Sequence, residues 1–187
     1  LNSIAPTTST HYRAEEVHGL DQELIDFVTS QYGEVFVRAE ELDTEDIQLL
    51  QLGYAFRKYG LRRSRRVYKI RNEQSGTIVA CVIGNKAPMG LNFSFLEHRA
   101  YFILDRALED DQRIKICQKM LATVQPYYQQ FPLGAIPIVT DISTSEILQK
   151  MGSQFSREYM QSIWLREGFS EWYAHIDSFL RRIERRG

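Results

Sequence analysis

Arginines are the residues best suited to chemistry in this 187-residue chain. Arg62-Arg63-Ser64-Arg65-Arg66 is flanked by Arg57, Lys58, Lys69 and Arg71, so eight bases and no acid fall between Arg57 and Arg71. A guanidinium grips phosphate or carboxylate through two parallel N–H bonds, so such a run suits an anionic ligand. It equally suits a solvated turn whose charges face acids elsewhere in the chain. Those acids exist: from Ala14 to Asp46 there are eleven, against one base, Arg38. The tail Arg181-Arg182-Ile183-Glu184-Arg185-Arg186 is basic again.

A second constellation is Glu97-His98-Arg99, just before a predicted strand. A carboxylate or imidazole there could take a proton from an amine, directly or through water, and a plain surface loop would read the same way. His11, His18, His98 and His175 are scattered without metal-ligand spacing. Cys81 and Cys117 lie on apolar patterns and read as core residues, so no metal site is expected. Asp141, Ser143 and Thr144 end a strand and open a helix. Their oxygens could meet a phosphate or acyl carbonyl, or cap the helix.

The elements that must position these groups follow from pattern. Residues 1–10 form a lead-in with a Pro-Thr-Thr-Ser-Thr stretch. Asp21 to Tyr32 reads as a helix stopped by Gly33, and Asp43 to Gly60 as a second helix. Arg66 to Arg71 alternates like a half-buried strand, Asn72 to Gly76 is a turn, and Thr77 to Ile83 is an apolar run suited to a central strand. Tyr101 to Leu104 is the next strand. Glu109 to Gln130 is a long helix, with Ile114, Cys117, Leu121, Val124 and Tyr128 at helical spacing. A strand at Ala135–Thr140 follows, then a short helix capped by Ser143 or Thr144 and ended by Gly152, and a last strand at Tyr159–Leu165. Phe169, Trp172, Tyr173, Ile176 and Leu180 mark a C-terminal amphipathic helix over 167–187, suited to contact a second copy or an adjoining domain.

Composition narrows the classes. Charges cancel to a net of −1, which argues against a dedicated nucleic-acid binder. With 43% hydrophobic residues the chain is globular rather than disordered. No apolar run reaches the roughly 18 residues of a membrane span. Two cysteines make no disulfide framework, so a reduced, cytoplasmic setting is expected.

The element order over 11–166 resembles the GNAT superfamily of N-acetyltransferases, with His11 to Val17 as its first strand. Three pieces carry the resemblance: the hairpin from Val67 to Ile83, the strand entering a long helix from Tyr101 to Leu121, and Ser145-Glu146-Ile147-Leu148-Gln149-Lys150-Met151-Gly152 followed by Phe155. It implies an α+β fold with a mixed central sheet flanked by helices, the C-terminal helix being an addition. It also implies acyl transfer from acetyl-CoA or another acyl-CoA to the amine of a small molecule or protein. Glu97 or His98 would then be the base, and backbone donors from Phe102, Ile103 and Leu104 would polarise the thioester carbonyl. Arg106 and Arg113 fall in the stretch that corresponds to the pyrophosphate loop.

That stretch departs from the family. Its glycine-rich loop is absent, since no glycine lies between Gly90 and Gly134, and Glu109-Asp110-Asp111 stands where phosphate should go. Three acids there would repel a pyrophosphate. The family's frequent late-helix tyrosine is replaced by Leu148. The rival expectation is a regulatory or interaction domain that senses an anionic nucleotide through Arg62, Arg63, Arg65 and Arg66. The spacing Arg62-x-x-x-Arg66 resembles the arginine motif of PilZ-type cyclic-dinucleotide receptors. Their companion Asp/Asn-x-Ser-x-x-Gly motif is missing, as Asn92-x-Ser94 and Asp141-x-Ser143 both lack the glycine.

Overall fold

The apolar run in the middle of the chain becomes β3 (Ile78–Lys86), buried from Ile78 through Asn85. A strand apolar on both faces must be covered on both faces, and the rest of the fold does this. The structure, a computed structural model, describes residues 11–45, 47, 64–86, 98–129 and 137–153.

β3 is the middle of a five-stranded sheet in the order β1-β2-β3-β4-β5. β1 (Tyr12–Val17), β2 (Ser64–Asn72), β3 and β4 (Arg99–Leu104) pair antiparallel, and β5 (Ile138–Val139) pairs parallel to β4. The β2–β3 turn is built by Asn72, whose side chain accepts from the Gln74 N–H at 2.9 Å, and by Gly76 at φ +71°. That left-handed geometry favours glycine.

Helices α1 (Gln22–Tyr32) and α2 (Glu34–Ala39) cover one face, where Leu24, Val28, Phe36 and Val37 meet Val67, Cys81, Ile83 and Ile103. Helix α3 (Asp110–Tyr128) and α4 (Ile142–Lys150) cover the other, where Ile116, Cys117, Met120, Val124 and Ile147 meet Ile70, Ala80, Val82 and Phe102. The architecture is α+β: a mixed sheet between two helical layers.

Most expected elements stand where the pattern puts them. Asp21 is the N-cap of α1, its side chain accepting from the Leu24 N–H at 3.0 Å. Gly33 ends α1 and also opens α2, a helix that the sequence pattern did not suggest. The cap of α4 is Asp141 rather than Ser143 or Thr144. Its carboxylate accepts from the Thr144 N–H at 2.8 Å, and the two hydroxyls turn to bond that carboxylate as well. Of the expected Asp43–Gly60 helix, the described beginning (residues 43–45 and Ile47) forms turns and a bend rather than a helix, and the rest, with the Tyr159–Leu165 strand and the C-terminal helix, lies outside the described residues.

The segregated charges meet face to face. Glu15 lies directly across from Lys69 in the β1–β2 register. The Lys69 ammonium sits 2.6 Å from Asp21 and 3.5 Å from Glu23, and Arg71 donates to both Glu23 carboxylate oxygens at 2.7 and 2.6 Å. This network binds the start of α1 to β2. Burial would raise the Asp21 pKa, but the bonds from Lys69 and the Leu24 N–H outweigh it and leave the carboxyl below its ordinary 3.8. Glu23 is lowered from 4.5, chiefly by Arg71.

A depressed carboxyl pKa adds stability above the unfolded-chain value, and that contribution is lost as pH falls through the folded value. Lys69→Ala should therefore destabilise by about 1 kcal/mol at neutral pH. The difference from the parent should begin to shrink as pH falls below about 4, where the unfolded chain protonates, and vanish once pH lies below the lowered folded values of Asp21 and Glu23. Urea titrations over that pH range check this, and a pH-independent difference would contradict it.

Candidate functional site

The parallel β4–β5 ladder is short. It pairs Ala100 with Ile138 and Tyr101 with Val139, and β4 then runs on to Leu104. The Ala100 N–H points to β5, donating to the Pro137 carbonyl at 2.9 Å, so by alternation the N–H groups of Phe102 and Leu104 face the same way. The Asp105 N–H faces β3 instead, donating to Val79 at 2.9 Å. Past Val139 the chain turns into α4, and Thr140 donates through its hydroxyl to the Phe102 carbonyl at 2.8 Å. The Tyr101–Val139 pairing takes up the Phe102 N–H, so beyond Phe102 this side of β4 has no strand partner among the described residues. Ligands of sheet proteins commonly meet strand C-termini that separate in this way. The side chains of Phe102, Ile103 and Leu104 are buried, so the backbone is what this edge offers.

The turn into α3 presents the opposite situation: from Arg106 to Glu109 its donors are already used. The Arg106 N–H donates to the Gln31 side chain at 3.1 Å, Ala107 to the Asp105 carboxylate at 2.9 Å, and Leu108 to the Asp105 carbonyl at 3.4 Å. Glu109 and Gln112 form a capping box, with the Glu109 N–H donating to Gln112 at 3.2 Å. Asp110 and Asp111 occupy the first turn and already complement the helix dipole.

Both arginines of this stretch are engaged. Arg106 is exposed, and its guanidinium lies 5.8 Å from the centre of the Tyr32 ring on the α1 side. Arg113 is buried, donating to Ser143 at 2.6 Å and Thr144 at 2.8 Å, with the Asp141 carboxylate 3.5 Å away. It clamps the first turn of α3 to the cap of α4. Burial would raise the Asp141 pKa, but bonds from Ser143 and Thr144 and the charge of Arg113 hold it below its ordinary value. Beside the clamp, burial pushes the Tyr32 phenol up to about 12. Its hydroxyl approaches Thr140 and Asp141 without a well-formed hydrogen bond.

Of the two expected bases, His98 is not brought to this edge. His98 is buried at the other end of β4, packed edge-on against Tyr128 with ring centres 4.9 Å apart. At about 3.3 Å per residue it lies roughly 20 Å along the strand from Leu104. Burial, then the charge of Lys86, lowers its pKa and favours the neutral ring. Glu97 lies outside the described residues.

The arginine run divides as strand alternation requires. Arg65 points to the α1–α2 face with its side chain 1% exposed, and donates to the Glu40 carbonyl at the end of α2 at 2.6 Å. Arg66 points to the α3 face. There Ser64, Arg66, Lys86 and Tyr127 gather, a group that the sequence reading missed apart from Arg66. The one available signal was Gly84 inside an apolar strand. A Cβ there would sit 3.2 Å from the Tyr127 ring. Arg62 and Arg63 lie outside the described residues. Cys81 and Cys117 are core residues whose thiols burial pushes up to about 12, and no group able to hold a metal occurs among the described residues.

Comparison with known proteins adds no relative: no family model, no curated protein and no solved structure matches the chain.

The clamp makes a stability prediction. Removing one partner of a buried ion pair strands the other, so Arg113→Ala should cost about 3 kcal/mol. Arg113→Lys should recover only part, because an ammonium cannot present a planar fork to Ser143 and Thr144 together. Denaturant midpoints of both variants check this. Equal loss for Ala and Lys would show that shape, not charge, holds α4 in place.

Proposed function

We propose that this chain is an acyltransferase-like domain of GNAT type that does not grip acyl-CoA and serves as a regulatory or interaction domain responsive to an anionic ligand. The observation that carries this reading is the hydrogen-bond accounting at the start of α3. In a GNAT-like arrangement a pyrophosphate would need free backbone donors and a positive helix end there. In this chain the N–H groups of Arg106, Ala107, Leu108 and Glu109 all have acceptors within the protein. Glu109, Asp110 and Asp111 add negative charge at the same place. The residues present therefore do not fit the diphosphate of coenzyme A, and no reaction step is assigned to it.

The likeness to the family is supported by an antiparallel β1-to-β4 meander followed by a parallel β5, with the long α3 between β4 and β5. A second reading, retained N-acyltransfer from a thioester to an amine, is favoured by one feature: the Leu104 N–H on the open edge of β4. Donors on such an edge can stabilise the oxyanion of a tetrahedral intermediate. In that reading Glu97 is the base.

Titration calorimetry with acetyl-CoA and a longer acyl-CoA separates the readings. The expected result is no heat with either at protein concentrations of about 100 μM, well above the micromolar affinities of ordinary cofactor sites. The triple variant Glu109→Gln, Asp110→Asn, Asp111→Asn should gain measurable binding, since it removes the repulsion. Micromolar binding by the parent chain, followed by acyl transfer that Glu97→Gln abolishes, would establish the enzyme instead.

A further inference from the structure

At the far end of α3 from the clamp, the sheet presents a cationic group of different character. Ser64 and Lys86 are direct cross-strand partners, as are Arg66 and Gly84, so all project to the α3 face. The Tyr127 ring packs against Gly84, whose missing Cβ makes room for it. The Arg66 guanidinium lies 5.3 Å and the Lys86 ammonium 4.6 Å from the centre of that one ring. The Tyr127 and Ser64 hydroxyls are 2.8 Å apart. Burial pushes the Tyr127 phenol up to about 12, so at neutral pH it keeps its proton and can donate.

The charge balance here is incomplete. Lys69 and Arg71, on the same hairpin, each have close carboxylate partners. Lys86 has none: no carboxylate of the described residues lies within ion-pair distance of it. Arg66 has only Glu16 at 3.7 Å, and its side chain is 49% exposed. Two cations drawn to one ring repel one another, and the ring's quadrupole offsets that repulsion only in part. An anion between them would convert the repulsion into attraction.

We infer that Ser64, Arg66, Lys86 and Tyr127 form a binding site for a phosphate group carried by a small ester or nucleotide. Arg66 supplies a planar fork, Lys86 a mobile point charge, and the hydroxyl pair one further donor. The site deepens the anion-responsive reading above by giving it a location. Tyr127 stands about 25 Å along α3 from its start, so the two claims fail separately.

The test is calorimetry on the whole chain with inorganic phosphate, guanosine monophosphate and guanosine as probes. Phosphate and the nucleotide should bind and guanosine should not, which separates phosphate from base recognition; the ratio of the first two affinities tells a free from an esterified phosphate. Arg66→Gln and Lys86→Gln should each weaken binding about tenfold, equivalent to about 1.4 kcal/mol, and the double variant should abolish it. Tyr127→Phe, which keeps the ring against Gly84, should weaken it several-fold. Lys86→Gln should melt within about 2 °C of the parent without phosphate, since no ion pair with a described residue is lost, and should lose the rise in Tm that phosphate gives the parent. No binding by the parent at about 10 mM phosphate or nucleotide, unchanged affinity in the double variant, or guanosine binding as tightly as its phosphate would each overturn the site. Acetyl-CoA carries phosphates too. Heat from it that vanishes in the double variant supports this site and leaves the α3 claim intact, whereas heat that survives refutes the α3 claim while the phosphate titration still decides this one.

Discussion

The two-sided burial of β3 is the constraint on which the rest of this structure depends. Ala80 and Val82 point into one helical layer, Cys81 and Ile83 into the other, and all four are fully buried. Covering both faces at roughly 25 cal/mol per Å² of apolar area is the main favourable term available to the fold. It dictates helices above and below, and strands along both edges. The polar features are then arranged at the margins of that core: the Asp21–Lys69–Glu23–Arg71 network at one edge, the Arg113–Asp141 clamp at the start of α3, and the Tyr127 group at its end.

Elements were readable where a single force decides them. The apolar run from Thr77 to Ile83 admits only a central strand, and the α3 stripe of Cys117, Val124 and Tyr128 admits only a helix against it. The start of α1 was readable because Asp21 precedes an apolar period that Gly33 ends. The cap of α4 was misassigned because Asp141, Ser143 and Thr144 are all capping residue types. The choice between them was made at a distance, by Arg113 from α3. Helix α2 was missed because six residues are too few to show a period, and its end is fixed by Arg65 from β2 rather than by its own sequence.

The site was legible only in part for the same reason. Composition revealed the arginine run, but strand alternation separates its members, sending Arg65 into the α2 face and Arg66 to the α3 face. Lys86 and Tyr127 join Arg66 only through cross-strand register and helix packing, which sequence spacing does not display. The net charge of −1 concealed both facts. The basic residues of β2 each meet a carboxylate, Lys69 and Arg71 closely and Arg66 only through Glu16, and Lys86, at the same end of the hairpin as Arg66, meets none among the described residues.

The two cysteines are the only thiols in the chain, and the sheet separates them. Cys117 lies on the sheet-facing side of α3, while Cys81 faces the α1–α2 layer, and neither can react with a soluble reagent until its own layer lifts. Local opening in proteins proceeds through cooperative units with different free energies. The molecule thus carries one built-in reporter for each side of the sheet. The order in which they become alkylated records which layer of helices detaches first.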